Sequence, residues 1–237
     1  IKTTARIKED WVRRYFLEIS FIVFIVYYWS LSLIGNLNIG VRHVLPTFPF
    51  IYLLIAAVMY RWVYNRYIPA GEGVIEQLGA SARNLFSQWL KASLILVLLV
   101  WYVISPFKAY PHTLAYFNEL VGGPSEGYKY VTDSNLDWGQ DLRGLADFME
   151  ENNIEHIKLR YFGGGDANYY LGDRQEWFRN EIEEERKGWI AISATFLQEG
   201  RAEATRGYDE STTHFMWLNE YEPVAVIGHS IFVYHIE

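Results

Sequence analysis

The chain contains no cysteine among its 237 residues, and this absence excludes several kinds of site. Without thiols there is no disulfide framework, no thiolate zinc site and no cysteine nucleophile. The sequence also lacks an excess of positive charge, because 21 Lys and Arg stand against 28 Asp and Glu, for a formal net charge of -7. No basic face is concentrated enough to neutralise a phosphate backbone, so nucleic acid is not an expected partner.

Several catalytic and nucleotide-binding motifs are missing as well. The sequence has no G-x-S-x-G and no H-E-x-x-H, and the GGGD segment at 163–166 lacks both the dinucleotide fingerprint and the P-loop lysine. His229 and Ser230 are adjacent in an expected strand, where side chains point to opposite faces, so they do not indicate a hydrolase dyad. No metal site and no cofactor is assigned, but a divalent cation is kept as one alternative for the acidic cluster described below.

Three long apolar runs occupy the first half of the chain and predict transmembrane helices at about 15–35, 44–62 and 89–106. Helices of a soluble core would show polar stripes, and these runs show almost none. Glu18 follows Arg14 by one helical turn and is expected to pair with it. Residues 1–107 therefore form a predicted membrane region, with membrane lipid as its first partner.

The Lys and Arg residues near the ends of these runs predict their orientation. Basic residues are concentrated before the first run and between the second and third, whereas the turn after the first run holds only Arg42. Positively charged segments stay in the cytoplasm. The sequence thus predicts a multi-pass plasma membrane protein with a cytoplasmic N-terminus and an extracytoplasmic C-terminal domain at 108–237, a location that the absence of cysteine also fits.

The C-terminal domain alternates segments typical of strands and helices, which predicts a small α/β domain with a mixed or parallel sheet. The expected strands are 128–132, 157–162, 189–197 and 224–236, the last with a break at Gly228-His229. The expected helices are 111–120, 137–151, 167–171, 174–186 and 211–219.

A dense polar cluster opens this domain, and it consists of Asp133, Asn135, Asp137, Trp138, Gln140 and Asp141. Carboxylate and amide side chains this close together are costly to leave unpaired. The first three have the 1,3,5 spacing of a calcium loop, but tryptophan and glycine stand where an EF-hand needs glycine and glutamate. The sequence therefore excludes an EF-hand.

Three interpretations of the cluster stay open. The first is a cation site of another kind, and the second is contact with an acceptor glycan, in which Trp138 offers an aromatic face beside polar groups. The third is a strand-to-helix corner in which Ser134, Asn135 or Asp137 caps the following helix.

Arg42 and His43 form a second candidate site, at the predicted outer end of the second span. An ionisable pair that faces the interior of a helix bundle is a functional hypothesis by default. Arginine could bind the phosphate of a lipid carrier in bidentate fashion. The alternative is an interfacial arginine that reaches lipid headgroups. His112, after the third run, is a weaker signal because it stands alone.

Four segments together resemble a known family: GNLNIGVRHVLPTFPFIYLLIA, YPHTLAYFNELVGGP, DSNLDWGQDL and PVAVIGHSIFVY. They are similar to the C-terminal part of bacterial integral-membrane glycosyltransferases of the dolichyl-phosphate-mannose protein mannosyltransferase-like group, related to aminoarabinose lipid A transferases. The similarity extends from about Trp29 to the end of the chain. It implies a multi-spanning GT-C type fold that takes a sugar from a polyprenyl-phosphate carrier and delivers it to a glycan or protein acceptor.

The resemblance also implies that the catalytic carboxylate lies outside this chain. In that family the catalytic carboxylate lies in the first external loop of the N-terminal half, and no segment here matches that loop. The chain is therefore expected to be the C-terminal portion of such an enzyme, with Arg42 and His43 at the carrier phosphate and the acidic cluster at the acceptor. The alternative is a non-catalytic, membrane-anchored module that binds glycan or protein.

Overall fold

A computed structural model describes residues 11–35, 41–64, 73–179, 183, 186–201 and 215–237. The chain divides into two compact units, Ile1–Val103 and Ile104–Glu237. The first unit is built from long apolar helices, and the second contains the sheet.

The first unit contains three helices: α1 at Phe16–Ile34, α2 at Phe48–Tyr64 and α3 at Val74–Ile104. Together with short 3₁₀ extensions they give three segments long and apolar enough to cross a membrane, namely Phe16–Ile34, Leu45–Tyr64 and Val74–Ala109. The three predicted spans are thus confirmed as membrane-length helices. The third begins well before residue 89, because the polar stretch ahead of it is rich in strong helix formers that extend the helix.

Two polar contacts join α1 to α2 and the 3₁₀ turn before it. The Trp29 indole N–H donates to Thr47 Oγ1 at 3.1 Å, and Thr47 is fully buried. Glu18 pairs with Arg61 of α2, so the expectation that Glu18 pairs with Arg14 is wrong. A partner on the neighbouring helix satisfies the carboxylate and links the two helices.

The second unit is organised around a five-stranded mixed sheet with the order β2-β1-β3-β5-β4. Its strands are β1 at Ile157–Arg160, β2 at Gln175–Trp177, β3 at Gly188–Ser193, β4 at Ala225–Ile227 and β5 at Ile231–Ile236. Strands β2, β1 and β3 run parallel, whereas β5 pairs antiparallel with both β3 and β4. The prediction of a small mixed sheet is therefore confirmed.

Both faces of the sheet are covered, because side chains on neighbouring strand positions enter separate cores. Ile190 and Ile192 of β3 pack on one face, and Ala191 between them packs on the other. Helix α4, at Leu142–Glu151, places Leu142, Leu145 and Met149 against the second face, together with α5 at Ala167–Leu171. Helix α6, at Ala194–Glu199, closes the first face with Leu197.

Several expected elements differ from those observed. Residues 128–132 form no strand, since Gly127–Lys129 is a 3₁₀ turn, and 111–120 contains two 3₁₀ turns, Thr113–Ala115 and Glu119–Val121, instead of one helix. The run at 189–197 changes from strand to helix after Ser193, because an apolar run alone does not distinguish a buried strand from a buried helix.

Two further expected helices differ at their ends. The helix expected at 174–186 begins instead with strand β2, and part of it lies outside the described residues. The helix expected at 211–219 is in part outside them too, and its described end is a 3₁₀ helix at Met216–Glu220.

Candidate functional site

The DSNLDWGQDL segment lies where the parallel strands β1 and β3 end. The Asp133 backbone N–H donates to Thr195 Oγ1 at 3.0 Å, just past the end of β3. The backbone N–H of Gly164, past the end of β1, donates to the Trp138 carbonyl at 3.2 Å. Ligands of open α/β sheets commonly bind outside the carboxyl ends of strands. Hydrogen bonds thus hold the polar cluster at the carboxyl ends of β1 and β3, where ligands of such sheets commonly bind.

Asp137 is completely buried at this edge. Its Oδ2 accepts a hydrogen bond from Thr195 Oγ1 at 3.3 Å, whereas Oδ1 has no partner of good geometry among the described residues. Burial raises the pKa of Asp137 to about 6, and nearby polar groups of Thr195, Ser193 and Gly139 oppose this rise only in part. The carboxyl therefore changes charge close to neutral pH without reaching solvent.

Gly139 permits the chain to turn between Asp137 and Asp141. Its φ is +83°, in the left-handed region, and a Cβ added there would lie 1.4 Å from the Tyr161 hydroxyl. The side chain of Gln140 secures this turn by accepting from the Trp138 N–H at 2.8 Å and donating to the Leu136 carbonyl at 3.0 Å. The local fold thus requires glycine and uses the Gln140 amide internally.

Asp141 is the centre of the site. Its carboxylate accepts from Ser230 Oγ at 2.7 Å and from Gln140 Nε2 at 3.0 Å, both at Oδ2, and its Oδ1 lies 3.1 Å from His112 Nδ1. Asp141 is 4 % exposed, so these bonds compensate for the removal of the carboxylate from water. Because a carboxylate accepts, the pair with His112 requires a proton on Nδ1, and in the neutral ring the lone pair is then on Nε2.

The turn between β4 and β5 fits closely over Asp141. A Cβ on Gly228, whose φ is +58°, would lie 1.9 Å from the Asp141 carboxylate. His229 follows with φ 67°, and its ring lies edge-on to His112 with centroids 5.8 Å apart. Burial, and then proximity to His112, lowers the pKa of His229, although Asp141 opposes this effect. The expected break at Gly228-His229 is confirmed, but Ser230 and His229 lie in a turn and not in a strand.

His112 and Asp141 form part of the wall of an open cleft of about 500 Å³. The cleft is lined by Pro111, His112, Thr113, Leu114, Gln140, Asp141, Arg143, Gly144 and Asp147. Arg143 and Asp147 are exposed on the first turns of α4 and have no ion-pair partner within the described part of the chain. The cleft thus combines an oriented imidazole with one guanidinium and the carboxylates of Asp141 and Asp147.

The Glu119 carboxylate holds the segment before His112 through two hydrogen bonds. Ser105 Oγ and Lys108 Nζ donate to the two Glu119 oxygens at 2.9 and 3.1 Å. A bond from its own backbone N–H, then Lys108 and Ser105, lower the pKa of Glu119 to about 2. The chain from Ser105 to Glu119 is therefore closed into a loop that holds His112 in place.

The structure separates the predicted site residues into distinct groups. Gln140 and Asp141 line the cleft, while Asp137 is buried beside it. Trp138 is 49 % exposed and does not line the cleft; Asp133 and Asn135 lie in a 3₁₀ turn outside its lining. Sequence reasoning missed the role of His112 and Ser230, which are 29 and 89 residues from Asp141 and carry no local motif.

The capping interpretation of the cluster is wrong. Helix α4 begins only at Leu142, and the residue at its N-cap, Asp141, makes no capping bond. Its carboxylate is instead engaged by His112 and Ser230, while Ser134, Asn135 and Asp137 lie too early in the chain. No group of three or more His, Asp or Glu side chains at metal-binding positions occurs in the ranges that the structure describes.

Arg42 and His43 lie in the first unit, in a 3₁₀ turn at Val41–His43 ahead of α2. Arg42 is exposed and His43 is half-buried. Both interpretations of Arg42, contact with a carrier phosphate and contact with lipid headgroups, stay open.

Comparisons of this chain with protein families, with curated protein sequences and with solved structures found no match.

Proposed function

We propose that this chain is the C-terminal portion of a membrane glycosyltransferase that transfers a sugar from a polyprenyl-phosphate carrier to an envelope acceptor. The observation that carries the proposal is the hydrogen bond between His112 and Asp141. It joins two of the segments on which the resemblance rests, YPHTLAYFNELVGGP and DSNLDWGQDL, in the wall of one cleft. A third, PVAVIGHSIFVY, contributes Ser230 to the same carboxylate. Segments far apart in sequence thus build one polar site.

The same proposal assigns Arg42 to the carrier. A phosphate leaving group needs cationic support, and an arginine ahead of an apolar helix would offer it beside a lipid-linked substrate. The N-terminus would be cytoplasmic and the sheet domain extracytoplasmic, where lipid-linked sugars and envelope acceptors are both accessible. Three membrane-length helices support this arrangement.

The alternative is a non-catalytic module that is anchored in the membrane and binds glycan or protein. The three hydrogen bonds of Asp141 favour the non-catalytic module, because a carboxylate that already accepts from three side chains is a poor general base. In the glycosyltransferase reading, the catalytic carboxylate would come from outside this chain.

The test is a sugar-transfer assay with membranes that contain the complete reading frame to which this chain belongs. A radiolabelled polyprenyl-phosphate sugar is the donor, and Arg42→Ala is compared with Arg83→Ala, which removes an exposed arginine of α3. We expect Arg42→Ala to raise the KM for the donor by about tenfold, as for the loss of one charge-assisted hydrogen bond. Equal donor KM values in both variants would remove Arg42 from the carrier site, and absence of transfer by the unmodified protein would favour the module.

A further inference from the structure

We propose that the cleft beside His112 is a saccharide-binding site in which His112 Nε2 accepts a hydrogen bond from a sugar hydroxyl. If the bound sugar is the acceptor of sugar transfer, this inference rests on the proposed function. Its binding chemistry rests on the residues of the cleft alone.

Hydrogen bonds hold His112 in one orientation at the wall of the cleft. Buried Asp141 holds Nδ1, and Asp141 is itself held by Ser230 and Gln140, so the imidazole cannot rotate without breaking its hydrogen bond to the buried carboxylate. The His112 side chain is 37 % exposed and lines the cleft. A ring held at one nitrogen and exposed at the site is a preorganised acceptor, which lowers the cost of binding.

Side chains of both charges line the same cleft. Arg143 offers only donors and Asp147 offers only acceptors, while the Thr113 hydroxyl can do both. Arg143 and Asp147 are separated by one turn of α4, which places both on the same side of the helix. No ion pair occupies either side chain among the described residues.

This mixed lining favours one class of ligand over another. A phosphate group only accepts hydrogen bonds at its charged oxygens, and the carboxylates of Asp147 and Asp141 would repel it. A sugar hydroxyl donates and accepts, so a run of neighbouring hydroxyls can satisfy Arg143, Asp147 and His112 together. The volume of about 500 Å³ is within the range of small-molecule sites and accommodates a short saccharide. A neutral saccharide is therefore the ligand that this lining fits.

The experiment observes His112 directly by NMR in the full chain, labelled with ¹⁵N at the histidine rings and held in lipid nanodiscs. The probes are glucose, mannose, galactose, N-acetylglucosamine and maltose, each raised to about 50 mM, far above the dissociation constant of a weak millimolar site. Inorganic phosphate at the same concentration is the contrasting probe. His156 is exposed outside the cleft and serves as the internal control.

We expect at least one sugar to shift the His112 resonances in a saturable way, with no shift at His156 and none with phosphate. Asp147→Asn should weaken that sugar about tenfold, as for the loss of one charge-assisted hydrogen bond, whereas Asp173→Asn, at an exposed turn, should leave its affinity unchanged. No shift with any sugar, a shift with phosphate instead, or equal effects of the two variants would overturn the proposal.

This measurement is independent of sugar transfer. If sugar binds at His112 but the protein shows no sugar transfer, the saccharide site is supported and the glycosyltransferase proposal is refuted. If the protein transfers sugar but no sugar shifts the His112 resonances, the glycosyltransferase proposal is supported and the saccharide site is refuted.

Discussion

Substitution of Asp137 by asparagine should remove a pH dependence from the stability of the sheet domain. Burial raises the pKa of Asp137 to about 6 from an ordinary value of 3.8. A carboxyl whose pKa is raised on folding binds its proton more tightly in the folded state. Its contribution to stability is therefore fully present below the ordinary value and is lost as the pH rises through about 6.

The size of the effect follows from the two pKa values. The full contribution is about 3 kcal/mol at low pH, and roughly half of it is lost between pH 5 and pH 8. Asparagine has no proton to lose, so Asp137→Asn should gain about 1 kcal/mol relative to the unmodified protein when the pH rises from about 5 to 8. Comparing the two proteins at each pH cancels the contribution of His229, whose lowered pKa acts in the opposite direction.

Hydrogen exchange with mass spectrometry measures this difference in the full chain in nanodiscs. Peptides from β3 and β5 report the opening of the sheet, and their rates are corrected for the intrinsic exchange rate at each pH. Asp173→Asn, which changes an exposed carboxyl, is the matched control and should show no such gain. If Asp137→Asn and the unmodified protein differ by the same amount at both pH values, Asp137 is not a buried carboxyl with a raised pKa.

Two other predictions concern the turn over Asp141 and the orientation in the membrane. Gly228→Ala should destabilise the sheet domain by roughly 2–4 kcal/mol, because it combines a positive φ with a clash against Asp141. Gly164→Ala is the control, since a Cβ there meets nothing within 4 Å. Equal hydrogen-exchange rates in the two variants would refute the clash. Because the chain has no cysteine, Asp173→Cys and Arg83→Cys can each be labelled alone with an impermeant maleimide. Intact cells should label only Asp173→Cys, and labelling of only Arg83→Cys would reverse the orientation.

The sequence predicts best those features that depend on local pattern. Uncharged runs identify the three membrane-length helices, since length and hydropathy are sufficient for that decision. The alternation of apolar segments with turns predicts a mixed or parallel sheet, and the sheet is mixed. Gly228-His229 marks the break before β5, and both residues have positive φ there. These features need no knowledge of distant contacts.

The rest depends on contacts between distant segments. The expected helix at 137–151 begins only at Leu142, since the preceding residues are held by Thr195 and Gly164, which follow β3 and β1. His112 appears isolated in sequence, and only the folded sheet domain brings it to Asp141 and Ser230. The polar character of the cluster was predictable, whereas its centre at Asp141 was not.

The most direct test of the central claim is sugar transfer by the complete reading frame with His112→Gln or His156→Gln. Both variants remove one histidine of the sheet domain, but only His112 faces the cleft. If the chain is part of a glycosyltransferase whose acceptor binds at this cleft, His112→Gln should lower transfer by about tenfold or more, chiefly through the KM for the acceptor, and His156→Gln should leave it unchanged. Equal transfer by the two variants and the unmodified protein would contradict the account.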